Sequence, residues 1–109
     1  MPTLDRTALP PGALAQLPAL CRRFGVARLD IFGSAVTGHF DPARSDLDFL
    51  VTFDPASEAG GLRDYFAFSD ALEALFGRRV DLLSERSLEN PYLRRRVMAE
   101  RLPLYPTHE

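Results

Sequence analysis

The chain has 109 residues, a length that suits one domain with a single hydrophobic core and is too short for two independent ones. Hydrophobic residues make up 46% and charged residues 26%, a globular balance that excludes wholesale disorder. A formal net charge of -2 excludes a broad basic field, so direct nucleic-acid binding is not expected and any phosphate must be bound locally.

Residues 1–11 carry three prolines and little periodicity, and read as an extended leader. From about Gly12 to Phe24 the apolar residues Leu14, Leu17, Cys21 and Phe24 recur at helical spacing, with Arg22 and Arg23 in the last turn and Gly25 beyond. Pro18 is a candidate kink. The lone Cys21 has no disulfide partner and is expected simply to pack in that apolar stripe. Val26 to Phe32 reads as a strand ending abruptly at Gly33-Ser34, followed by a short helical turn from Ser34 to Thr37 and a polar loop from His39 to Ser45.

The run from Asp46 to Phe53 is the clearest strand, closed by Asp54-Pro55. Its period of two sets Asp46, Asp48, Leu50 and Thr52 on one face and Leu47, Phe49, Val51 and Phe53, the expected core face, on the other. After Gly60 and Gly61 comes a helix whose apolar face is expected to hold Leu62, Tyr65, Phe66, Ser69, Leu72 and Phe76. Arg79 to Leu83 is a third strand. Asn90-Pro91 is an N-cap and first-turn proline for a helix to about Glu100, and Leu102 to Tyr105 closes the chain as a strand. The alternation predicts an α/β (α+β) fold over residues 12–109, a small mixed sheet flanked by helices on one or both faces. No stretch approaches the roughly 20 apolar residues of a membrane span, so no membrane contact and a cytoplasmic location are expected.

Three places carry chemistry. A strand aims Asp46 and Asp48 to one side with Cα atoms roughly 7 Å apart, a spacing that suits a shared hard cation such as Mg²⁺ or Mn²⁺; the plain alternative is two solvated acids at a strand start. Asp81 sits within an apolar strand, where a carboxylate is expensive unless partnered. A metal shared with the first two acids would partner it, and so would Arg78 or Arg79. Gly33-Ser34, where a strand turns into a helical segment, offers backbone N–H groups and a hydroxyl to phosphate oxygens, although Ser34 could equally cap that turn.

In combination these signals resemble a known family. Gly33-Ser34-Ala35-Val36-Thr37-Gly38, the loop through Arg44, and Ser45-Asp46-Leu47-Asp48-Phe49-Leu50-Val51 look like the signature of the polymerase β-type nucleotidyltransferase superfamily, and of its minimal nucleotidyltransferase (MNT) branch. The likeness continues through Val80-Asp81-Leu82 and Asn90-Pro91-Tyr92-Leu93-Arg94, from about Leu14 onward. It implies the nucleotidyltransferase fold, a nucleoside triphosphate held by Gly33 and Ser34, two Mg²⁺ ions bound by Asp46 and Asp48, and a third catalytic acid in Asp81.

Many members carry a basic residue after the Gly-Ser motif where this chain has Thr37, and Arg44, Arg78 or Arg79 are the candidates to replace it. Members of this branch are commonly antitoxins paired with a HEPN ribonuclease toxin, and some transfer AMP from ATP to toxin tyrosines. The resemblance implies that function here, with neutralisation by occlusion, without turnover, as the alternative. Arg94-Arg95-Arg96 and Tyr92 read as partner surface or a solvated helical face. A phosphatase built on Asp-x-Asp fits poorly, since there the acids end an apolar strand and here they begin one. Small-molecule transferases of the superfamily generally add a substrate domain, which a homo-oligomer could build between subunits.

Overall fold

The computed structural model describes residues 2–57 and 61–106. Met1, Gly60 and residues 107–109 lie outside the described residues. Helix α1 (Pro11–Arg23) opens on a proline, whose missing N–H has no helical partner in a first turn anyway, runs through Pro18, and sets Arg22 and Arg23 against the negative end of its dipole. A single turn, α2 (Ser34–Thr37), follows the first strand. Helix α3 (Leu62–Phe76) stops at Gly77, whose N–H returns to the Glu73 carbonyl. Helix α4 (Pro91–Glu100) starts on Asn90, whose side chain accepts from the Tyr92 and Leu93 N–H groups as the sequence leads one to expect.

Strands β1 (Val26–Phe32), β2 (Leu47–Phe53), β3 (Val80–Ser84) and β4 (Leu102–Tyr105) form one four-stranded sheet in the order β3-β2-β1-β4. β1 runs antiparallel to β2 and to β4, while β2 and β3 are parallel. The sheet is therefore mixed, and α3 makes the crossover that a parallel pair requires.

One sheet face carries Leu29, Ile31, Leu47, Phe49 and Val51, and is covered by Leu17 and Cys21 of α1 and Phe68 and Leu72 of α3, all buried. The other face is not simply acidic. Phe32 and Leu50 pack there with Leu88 and Val97 in a second cluster, under α4 and a 3-10 turn at Glu85–Glu89 that the sequence did not reveal. Beside Leu50, Asp30 is a buried carboxylate held by Arg28 at 3.0 Å and Arg101 at 3.9 Å. Pairing offsets the desolvation that would otherwise make such a charge prohibitive.

The apolar face of α3 is rotated from the expected one. Leu62 and Phe66 are 73% and 57% exposed, and Phe68 points inward instead, its ring 5.5 Å from Phe24 and 6.2 Å from Phe53. A helix this rich in apolar residues has two amphipathic registers, and aromatic packing with distant residues selects one. The leader is tied down: Thr3 and Asp5 N–H groups donate to the Val36 and Ala35 carbonyls, and Ala8 and Leu9 are buried. Among the described residues no helix is long and apolar enough to cross a membrane.

Candidate active site

Where β1 ends at Phe32 the chain turns at once into α2, and Gly33 makes the turn with φ 78° and ψ −153°. That region is in practice open only to glycine. A second constraint acts on the same residue, because a β-carbon on Gly33 would overlap Asp48 Oδ2. The Asp48 carboxylate thus lies against the Gly33 backbone only because a side chain is missing. The Gly33 N–H donates to Glu100 Oε1 at 3.0 Å. Gly33 itself occupies the N-cap position, without a side-chain capping bond, so Ser34 is the first helical residue and not the cap.

Asp46 stands exposed one residue ahead of β2. Asp48 lies in β2 and pairs in register with Phe32 on one side and Asp81 on the other. Residues in register share a face, so Asp48 and Asp81 project to the same side from adjacent strands. Their surroundings differ: Asp48 is half-buried, while Asp81 is exposed on an edge strand. Water therefore solvates Asp81, contrary to the expectation that its strand would deprive it of solvent. Among the described residues neither Arg78 nor Arg79 forms an ion pair with it.

Burial pushes the Asp48 carboxyl up to about 6, the Asp81 charge adds to the rise, Arg96 opposes it, and Asp46 and Glu100 contribute further repulsion. The Tyr65 phenol is also raised, by burial first and then by Asp81. These donors are hard carboxylate oxygens with a net surplus of negative charge, which fits a hard divalent cation. Register assembles Asp48 and Asp81 as a pair. Among the described residues no group of three or more His, Cys, Asp or Glu is close enough to hold a metal ion.

The candidate replacements for a base at position 37 are otherwise engaged or exposed. Arg78 donates from Nη1 to the Ser45 carbonyl at 3.0 Å, and its guanidinium lies 4.8 Å over the Phe40 ring, so it braces the loop that delivers Asp46. Arg44 and Arg79 are exposed, and the Thr37 hydroxyl faces His39 Nδ1 at 3.3 Å. The cation whose field reaches Asp48 is Arg96, joined to Glu100 by an ion pair of 3.4 Å. Sequence reasoning put Arg96 on a solvated or partner-binding face and missed Glu100. Their spacing of four on a helix was the available signal, but it does not tell that the last turn of α4 reaches Gly33.

A family model for the nucleotidyltransferase domain matches residues 15–104. Protein adenylyltransferase MntA of Thermococcus cleftensis is 41% identical over 71 residues, covering 65% of this chain and 68% of that protein. A solved structure named as a minimal nucleotidyltransferase aligns with a TM-score of 0.69 at 40% identity, covering 92% of this chain and 96% of the other. A solved complex of tri-AMPylated Shewanella oneidensis HEPN toxin with MNT antitoxin aligns with a TM-score of 0.60 at 20% identity, covering 87% and 71%, a likeness of fold.

Proposed function

Because the chain belongs to the nucleotidyltransferase domain family, we propose that it transfers AMP from ATP to a protein hydroxyl, a tyrosine of a HEPN toxin, and acts as that toxin's antitoxin. The observation that carries this reading is the register of Asp48 with Asp81, with the Asp48 carboxylate laid against the Gly33 backbone. It is supported by the name of the T. cleftensis relative, a protein adenylyltransferase, and by the AMPylated toxin held in the S. oneidensis complex.

Gly33 and Ser34 would hold the triphosphate, through a backbone N–H and a hydroxyl. Asp46, Asp48 and Asp81 are the residues that would hold two Mg²⁺ ions, or Mn²⁺ in their place. Bound there, the ions would supply charge neutralisation to the phosphoryl transfer. The acceptor oxygen attacks the α-phosphorus in line, the bond from that phosphorus to the bridging oxygen breaks, and pyrophosphate leaves. Asp81 draws the hydroxyl proton. Its exposure on an edge strand leaves it accessible to a side chain presented by another protein.

The test is incubation with α-labelled ATP, Mg²⁺ and the protein encoded beside this gene. Label should appear on tyrosine of that protein and vanish with Asp48→Ala. No transfer, or transfer indifferent to the substitution, refutes the assignment. Thr37, exposed where many relatives carry a base, favours a second reading, neutralisation by occlusion. Under it an Asp46→Ala, Asp48→Ala double variant would still protect cells from the toxin.

A further inference from the structure

The last turn of α4 meets the nucleotide end of the site through a short chain of contacts. Glu100 Oε1 accepts from the Gly33 N–H at 3.0 Å, and Glu100 Oε2 accepts from Arg96 Nε at 3.4 Å. Glu100 is 23% exposed and Arg96 55%. Glu100 also stands within electrostatic reach of Asp48, whose charge Asp81 and Asp46 repel as well. What holds it there is one backbone amide and one guanidinium. An amide N–H and an arginine converging on one anion form the coordination set of a phosphate oxygen.

Glu100 also has somewhere to go. It borders a groove of about 620 Å³ that runs between Thr3, Asp5, Thr37, Gly38 and Ala99. A change of side-chain rotamer toward that groove would take the carboxylate to water.

We propose that Arg96 is the phosphate-binding cation of this site, serving in place of the base absent at Thr37, and that Glu100 is its placeholder, seated on the Gly33 amide until a nucleoside triphosphate displaces it. The inference rests on the nucleotide-binding reading above. The incoming phosphate takes over the Gly33 N–H and the Arg96 guanidinium, and Glu100 turns into the groove. Nucleotide binding therefore exchanges one Arg96 ion pair for another, which makes the resting carboxylate a competitor for nucleotide.

The experiment titrates AMP-PNP with Mg²⁺, and adenosine in parallel, into the wild type, Glu100→Gln, Arg96→Ala and Arg96→Lys, while following the Gly33 amide resonance in the free and saturated states. Removing the competing charge should tighten AMP-PNP binding by about 3- to 10-fold, and Arg96→Ala should weaken it by about 10-fold, the scale of one charge-assisted contact. Adenosine affinity should stay put in both, and Arg96→Lys should recover part of the loss. The Gly33 resonance should shift with Glu100→Gln in the free protein and coincide with that of the wild type at saturation, a readout that a merely structural role would not produce. Unchanged or weaker AMP-PNP binding by Glu100→Gln, or equal losses for adenosine and AMP-PNP with Arg96→Ala, overturns the inference while leaving the nucleotide reading intact. If neither the wild type nor Glu100→Gln binds AMP-PNP, both fall together.

Discussion

Replacing Asp48 with asparagine should abolish transfer and stabilise the fold at the same time. The carboxyl is pushed from its ordinary 3.8 to about 6 by burial and by Asp81, so at neutral pH the folded chain carries a charge it would rather neutralise. At about 1.4 kcal/mol per pH unit this amounts to about 3 kcal/mol, and solvent screening of a half-buried group reduces it to about 1–2 kcal/mol. Asparagine keeps the shape and drops the charge. The gain corresponds to a melting temperature higher by about 4–8 °C for a domain of this size.

The sign fixes the pH window. Between pH 4 and 6 the folded wild type binds a proton that the unfolded chain releases, so its stability rises as pH falls through that range. Asparagine does not titrate, so its advantage should be full above pH 7, shrink as pH falls through about 6, and be gone near pH 4. Thermal unfolding in a chelator across that range measures it directly. An Asp48→Asn variant that melts below the wild type at pH 7.5, or that differs from it equally at every pH, would refute the electrostatic account of the site.

Gly33→Ala meets both a positive φ and the Asp48 carboxylate, so it should cost at least about 2 kcal/mol by denaturant unfolding and eliminate nucleotide binding in calorimetry. Arg78→Ala removes the bond to Ser45 and the stack on Phe40; urea titration should show a loss of about 1–2 kcal/mol, with transfer reduced and Arg79→Ala serving as the neutral control. Cys21 is fully buried and its thiol is pushed up to about 12 by that burial, so a disulfide-exchange reagent should titrate no thiol in the folded protein and one after unfolding.

Local signals carried most of the fold. β1 and α2 have the ends expected from Gly33, and α4 starts on Asn90 as its cap predicts, because strand breaks and helix caps are written in adjacent residues. What escaped was decided across the chain. Phe68 and not Phe66 faces inward because of Phe24 and Phe53, and Leu50 is buried because Leu88 and Val97 arrive from far along the sequence. The acid pair shows the same division. Alternation put Asp46 and Asp48 on one side, but only the parallel register with β3 brings Asp81 beside Asp48, and no pattern in the sequence predicts that α4 ends with Glu100 on the Gly33 amide.

The position of Asp48 explains why its carboxyl holds its proton to a higher pH than usual, while the Asp81 side chain is left to water. β2 enters the sheet between two cores: Leu47 and Phe49 are fixed in the one under α1 and α3, and Leu50 in the one under α4. Asp48 falls between these anchors with Phe32 on its inner flank and the open edge strand on its outer flank. Packing on both sides fixes the carboxylate in one place and strips part of its hydration. A cation at that point would stabilise the charge that burial has left poorly solvated. The unfavourable electrostatics of the resting site and the affinity proposed for it toward a charged nucleotide complex thus have one origin, the clamping of β2 by two hydrophobic clusters.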